Sequence, residues 1–124
     1  MIAKFLSTVV DCPDPVALGR FYAGILGGRL DDSDPEWTEL YAPGQRISFQ
    51  RVADYRPPRW PSQEHPQQLH LDFVVDTRAD VEAAQREVLA LGAVFLHDSG
   101  GEVRGFRVFE DPAGHPFCLC YGQS

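Results

Sequence analysis

The side chains best suited to chemistry lie in two short apolar stretches of the second half of the sequence. His70 and Asp72 are two residues apart in one stretch, and Cys118 and Cys120 are two apart in the other. Side chains at this spacing point to the same face of a β-strand, so each pair is expected on one side of a sheet. Because histidine changes its charge near neutral pH, His70 is a candidate general base or hydrogen-bond donor.

Each of these residues also has a purely structural interpretation. A histidine on an alternating strand is often a hydrogen-bonded pocket residue with no catalytic role. Free cysteines are commonly buried, inert packing groups. A nucleophilic Cys118 would therefore need a nearby base.

The elements that must position these residues follow from a hydrophobic pattern that runs through the chain twice. In the first half a strand is predicted at 4–11, and Pro15 suits the first position of a helix. Apolar residues at three- and four-residue spacing predict that helix over Pro15–Leu26, and Gly27 ends it. Short strands are then predicted near 29–30, at 37–41 and at 46–52.

The second half repeats this plan. A strand is predicted at 69–76, and Thr77 with Asp80 approximates a capping box for a helix over Arg78–Leu91. Three strands follow, at 93–96, 106–109 and 117–121, the last two joined by a turn at 111–114. The segment 54–68 contains four prolines and is predicted to be a strand-free linker.

Composition limits the classes of function. A length of 124 residues is typical of one domain, and a net charge of −7 argues against a nucleic-acid groove, which needs a basic stripe. The sequence has no apolar run long enough for a transmembrane helix and no signal-peptide pattern at its start, so we expect a cytoplasmic protein with no membrane partner. The three cysteines are an odd number, and a structural disulfide is not expected in a cytoplasmic protein. The sequence has no Cys-x-x-Cys pair, which excludes the usual zinc-ribbon and thioredoxin signatures.

Several motifs resemble the vicinal-oxygen-chelate superfamily, which has the glyoxalase and bleomycin-resistance fold and includes dioxygenases. They are Leu69-His70-Leu71-Asp72, Glu110-Asp111-Pro112-Ala113-Gly114-His115-Pro116, Asp14-Pro15 and Phe21-Tyr22. The resemblance implies an α+β fold and a single domain over 1–124. Two βαβββ modules, at about 1–53 and 69–124, would form a curved mixed sheet whose concave face is a cavity.

The resemblance also implies where a metal ion would bind. In metal-dependent members, side chains from the first and last strands of both modules hold one divalent cation, and the matching positions here are Ser7, Gln50, His70 and Cys118. None of these is a carboxylate and only His70 is a strong ligand, so we expect no metal cofactor. The alternative is one divalent ion held by His70, Gln50 and Cys118, with Asp72 as a further ligand if the strand register differs.

Three functions remain open. The expected one is a metal-independent, bleomycin-resistance-like protein that binds or sequesters a small aromatic or cationic compound. The second is a glyoxalase- or dioxygenase-type enzyme that uses His70 as a metal ligand. The third is a metal-independent lyase or isomerase in which His70, or an acid such as Asp72, is the general base. Trp60, surrounded by prolines and arginines, is a candidate for a ligand lid or a dimer contact. The predicted pocket residues are Ser7, Trp37, Gln50, Trp60, His70, Asp72, Phe106 and Cys118.

A homodimer is also expected. Open modules leave sheet edges and apolar helix residues, such as Phe21, Tyr22 and Ile25, that one chain does not cover. Whether the small-molecule site lies within one chain or is shared across a dimer stays open.

Overall fold

The chain divides into two compact units, Met1–Arg56 and Pro57–Ser124, in a computed structural model that describes residues 1–123. Each unit contains one helix and one four-stranded mixed sheet. The predicted α+β fold with two βαβββ modules is therefore confirmed, with one sheet in each unit. The boundary falls inside the segment predicted as a linker, and most of that segment belongs to the second unit.

The first unit follows the predicted order of elements. They are β1 (Thr8–Cys12), α1 (Pro15–Leu26), β2 (Arg29–Asp31), β3 (Trp37–Ala42) and β4 (Gln45–Arg51). The strands lie in the order β1-β4-β3-β2, with β1 parallel to β4 and the other neighbours antiparallel. The boundaries of α1 are those predicted.

The second unit repeats this topology. Its elements are β5 (Leu71–Val74), α2 (Arg78–Ala90), β6 (Val94–Asp98), β7 (Gly105–Glu110) and β8 (Pro116–Tyr121). The order is β5-β8-β7-β6, with β5 parallel to β8. The helix α2 ends one residue earlier than predicted. Its predicted capping box is present, since Thr77 and Asp80 each accept a hydrogen bond from the other's backbone N–H.

The first strand of each unit is shorter than predicted. β1 begins at Thr8 and not at residue 4, and β5 begins at Leu71 and not at residue 69. His70 therefore directly precedes its strand. Alternation along the predicted strand 69–76 would place Leu69 beneath the helix, but this side chain is 58% exposed. In β5 the pairing starts opposite Phe117, one residue after Pro116, which has no backbone N–H to extend the ladder.

The core of the first unit lies between α1 and its sheet. Phe21 and Tyr22 are 4% and 1% exposed, and the Tyr22 ring stacks on Phe49 of β4 with centroids 5.9 Å apart. The expectation that Phe21 and Tyr22 form an uncovered helix face is therefore wrong, because the helix turns them towards its own sheet.

The core of the second unit lies between α2 and one face of its sheet. Phe117 of β8 contacts Phe73 and Phe109 with ring centroids 5.9 and 5.5 Å away. Arg107 of β7 is also buried on this side and donates hydrogen bonds of 2.6 Å to Glu82 and 2.8 Å to Gln85 of α2. These contacts fix which face of the sheet the helix covers and leave the other face open.

Neither helix in the described part of the chain is long and apolar enough to cross a membrane.

Candidate functional site

The candidate site lies on the face of the second unit's sheet that α2 does not cover. Asp72 of β5 pairs with Cys118 of β8, which pairs with Val108 of β7. These residues alternate with Phe73, Phe117 and Phe109, whose rings form the core on the α2 side. Alternation along paired strands therefore presents Asp72, Cys118 and Val108 together on the open face.

A pocket of about 360 Å³ lies against this open face. Its lining residues are Trp60, Gln67, His70, Asp72, Phe106, Val108, Pro116, Cys118, Cys120 and Gln123. The structure thus brings together the predicted pocket residues Trp60, His70, Asp72, Phe106 and Cys118.

The remaining predicted residues lie in the first unit. Ser7 directly precedes β1, and its hydroxyl accepts a hydrogen bond of 3.1 Å from Ser48. Trp37 of β3 lies opposite Gln50 of β4. These two residues share the sheet face that is turned away from α1.

Trp37 belongs to a polar cluster that the sequence did not reveal. Its indole N–H donates a 2.8 Å hydrogen bond to Glu39, and the Arg46 guanidinium donates to the other oxygen of the same carboxylate. These donors lower the pKa of Glu39, with Arg46 the larger cause. The spacing Trp37-x-Glu39 on a strand was the available signal, because it places both side chains on one face.

The polar centre of the pocket is a group of three side chains. His70 Nε2 lies 3.2 Å from Asp72 Oδ1. The atoms of His70, Asp72 and Cys118 that could bind a metal ion all lie within 4.8 Å of one another. His70 and Asp72 are exposed, whereas Cys118 is 7% exposed. A ligand in the pocket would therefore meet the imidazole and the carboxylate before the thiol.

The thiols of the pocket are held in their neutral form. Burial, the negative charge of Asp72 and a hydrogen bond to Asp72 raise the pKa of Cys118 to about 12. Burial and Asp72 also raise the pKa of Cys120. Since the thiolate is the nucleophile, these shifts count against a nucleophilic role for either cysteine.

The lining is aromatic and acidic. Trp60 and Phe106 supply rings, Asp72 is the one carboxylate, and no lysine or arginine is among the described lining residues. Gln67 contributes a carbonyl oxygen, Oε1, that is buried and has no hydrogen-bond partner among residues 1–123. An unpaired buried acceptor costs roughly 1–3 kcal/mol, so this atom favours a ligand that carries a donor.

Several lining residues were absent from the predicted pocket. Val108 and Cys120 follow from alternation, because they share a strand face with Phe106 and Cys118 respectively. Gln67 and Gln123 lie outside helices and strands, where periodicity carries no signal.

The three side chains differ in how well they suit the divalent cations that the family resemblance implies. Mg²⁺ and Mn²⁺ prefer oxygen ligands, and the group of His70, Asp72 and Cys118 supplies a single carboxylate. It does not fit those ions. Zinc accepts imidazole nitrogen, carboxylate oxygen and cysteine sulfur, so these residues would fit zinc better.

The family model for the glyoxalase-like domain matches residues 7–120. This chain belongs to the glyoxalase-like domain family. The match, together with the structural neighbours, confirms the predicted vicinal-oxygen-chelate superfamily. A comparison with curated proteins gave no match.

Solved structures share the fold of this glyoxalase-like protein. A glyoxalase/bleomycin resistance protein/dioxygenase family enzyme from Burkholderia phytofirmans is 18% identical, with a TM-score of 0.73 and coverage of 96% of this chain and 98% of that chain. Lactoylglutathione lyase from Agrobacterium tumefaciens is 18% identical, with a TM-score of 0.67 and coverage of 97% and 94%. The fosfomycin resistance protein FosX from Mesorhizobium loti is 16% identical, with a TM-score of 0.69 and coverage of 99% and 94%. At these identities the likeness shows the fold alone.

The neutral state of Cys118 gives a testable prediction. In the folded glyoxalase-like protein at pH 8.5, iodoacetamide should alkylate Cys118 much more slowly than it does in the urea-unfolded chain, because the folded thiol has a pKa of about 12. Asp72→Asn removes a negative charge that opposes ionisation, so it should lower that pKa and speed alkylation. Asp76→Asn, an exposed position outside the pocket lining, is the control. Site-resolved mass spectrometry measures the rates, and equal rates in both variants would contradict the assigned cause.

Proposed function

We propose that this glyoxalase-like protein binds a small aromatic or cationic compound in the pocket of its second unit, without a metal ion. The observation that carries this proposal is the composition of the lining. It combines the rings of Trp60 and Phe106 with the carboxylate of Asp72 and contains no lysine or arginine among the described residues. Such a lining attracts a cation and stacks a flat ring, whereas it repels an anionic ligand.

Hydrogen-bond acceptors support a ligand with N–H or O–H donors. The Asp72 side chain is 59% exposed, and the buried Gln67 Oε1 has no partner among the described residues. A ligand amine would pair with the carboxylate in a charge-assisted hydrogen bond and satisfy the amide oxygen. The neutral thiols of Cys118 and Cys120 add no competing charge.

His70 is the proposed centre of the site. Its Nε2 atom faces Asp72 at 3.2 Å, which orients the imidazole at the pocket and leaves it 41% exposed. In the bound state it donates or accepts a hydrogen bond. If the protein is an enzyme of the lyase or isomerase type, the same imidazole takes up a substrate proton as a general base.

A binding experiment with proflavine, a planar aromatic cation, tests this function. Fluorescence titration should show binding, and Asp72→Asn should weaken it about tenfold or more, as expected for the loss of a charged hydrogen-bond partner. His70→Ala should abolish binding with little change in melting temperature, because this side chain is exposed.

Matched controls are Asp76→Asn and His65→Ala, both exposed and outside the pocket lining. The anionic dye 1-anilinonaphthalene-8-sulfonate should bind more weakly than proflavine. The proposal is wrong if proflavine does not bind, or if Asp72→Asn and Asp76→Asn behave alike. A lower melting temperature with unchanged binding in His70→Ala would reduce His70 to a structural residue.

The convergence of three donor atoms favours a second candidate, a zinc-dependent enzyme of the same family. His70, Asp72 and Cys118 would hold the ion, since imidazole nitrogen, carboxylate oxygen and cysteine sulfur are all zinc ligands. The ion would act as a Lewis acid. Cys118 would have to give up its proton to bind it.

Elemental analysis of untagged protein separates the two candidates. The metal-independent proposal predicts no stoichiometric metal, whereas the zinc candidate predicts about one ion per chain. In the zinc case His70→Ala and Cys118→Ser lose the ion, and Cys120→Ser, the neighbouring thiol on the same strand, retains it. Stoichiometric zinc with this pattern would overturn the metal-independent proposal.

We also propose that the protein is a cytoplasmic homodimer. β1 is an outer strand of its sheet, and the apolar side chains that precede it are uncovered, with Phe5 80% and Leu6 69% exposed. An apolar sheet edge of this kind is commonly covered by a second copy. The three cysteines are free thiols, which suits a reducing compartment.

Light scattering at micromolar concentration should give twice the chain mass of 13.8 kDa. Phe5→Asp should shift the protein towards the monomer because it places a charge at the apolar edge. Val103→Asp, at a loop position that is also 80% exposed, should not. A wild-type mass of one chain would refute the dimer.

A further inference from the structure

The ladder between β6 and β7 contains a β-bulge beside the pocket. Phe95 pairs with Phe109 and His97 pairs with Val108, so two steps along β6 correspond to one step along β7. Leu96 is the extra residue. Bulges are frequent next to functional sites because they turn a side chain to a different face of the sheet.

The bulge decides on which face His97 lies. On the α2 side, the rings of Phe95 and Phe109 are in contact with centroids 5.7 Å apart. A regular ladder would place His97 opposite Arg107 on that same side. The shifted register instead pairs His97 with Val108, which lines the pocket. Asp98 then pairs with Arg107, and its carboxylate lies 3.1 Å from the guanidinium Nε.

His97 is thereby in ring contact with both aromatic residues of the pocket lining. Its imidazole centroid is 6.1 Å from Trp60 and 6.4 Å from Phe106, with tilted planes, distances typical of interacting aromatic pairs. Trp60 lies in an irregular segment whose nearby hydrogen bonds join Arg59 to His65 and Ser62 to Arg59. A strand residue therefore contacts an indole carried by a turn.

We propose that His97 is a positioning residue that holds the Trp60 and Phe106 rings in place and gives the pocket its selectivity for flat aromatic cations over aliphatic ones. This inference rests on the proposed function. Ordering the indole before binding reduces the entropy that a ligand must overcome, which strengthens the binding of any ligand that stacks on it. An aliphatic amine that uses only Asp72 gains nothing from this order.

The test compares proflavine with 1,6-diaminohexane, an aliphatic cation, by calorimetric titration. His97→Leu should weaken proflavine binding about threefold to tenfold, the range of one or two aromatic pairs, and leave diaminohexane binding unchanged. His97→Phe keeps a ring and should retain the proflavine affinity. If His97→Leu folds poorly, His97→Gln takes its place: it is polar and has no ring, so the same loss of proflavine affinity is expected. The control is His65→Leu, an exposed histidine whose bond to Arg59 uses only its backbone.

A double-mutant cycle shows whether His97 acts through Trp60. In a Trp60→Leu background, His97→Leu should reduce the proflavine affinity less than it does in the wild-type background, because only the contact with Phe106 is then left to lose. An undiminished effect there would overturn the positioning role, as would equal weakening of both ligands or a His97→Leu affinity equal to that of His65→Leu.

The two proposals fail differently. If the wild-type protein does not bind proflavine, the proposed function is wrong and the inference falls with it. If it binds and Asp72→Asn weakens binding while His97→Leu does not, only the role of His97 is wrong.

Discussion

The parallel pairing of β5 with β8 is the constraint on which the pocket depends. Its register sets Asp72 beside Cys118 on the open face and Phe73 with Phe117 in the core. A slip of one residue would exchange the two faces, bringing a carboxylate into the core and a phenyl ring into the pocket. The buried rings of the α2 side exclude that slip, so the same hydrophobic contacts that stabilise the unit also present its polar residues.

The two faces of this sheet differ in how their charged side chains are paired. On the α2 side Arg107 is buried and matched by Glu82 and Asp98, so the helix and two strands are joined without an unpaired charge. On the open face Asp72 lacks a guanidinium or ammonium partner among the described residues; its polar neighbours are His70 at 3.2 Å and the Cys118 thiol. Burial and that carboxylate together raise the pKa of both neighbouring thiols, and the carboxylate gives the pocket its negative character.

The bulge in β6 links these two faces. One extra residue lets Asp98 meet Arg107 on the α2 side while His97 lies on the pocket side with Val108. In a regular strand His97 would lie on the α2 side and Asp98 on the pocket side, and the ion pair of Arg107 with Asp98 would be lost. The contact of His97 with Trp60 is thus tied to the packing of the opposite face.

The sequence by itself determined the two βαβββ modules, the start of both helices, and the sharing of a face by Cys118 and Cys120, because periodicity and capping are properties of near neighbours. It also selected five of the residues that line the pocket. Only the tertiary structure decided where β1 and β5 begin, that Phe21 and Tyr22 are buried, that Gln67 lines the pocket, and that His97 contacts the rings of Trp60 and Phe106. These features depend on a partner strand or on a contact distant in sequence, and no local pattern encodes the register of a ladder or the position of a bulge.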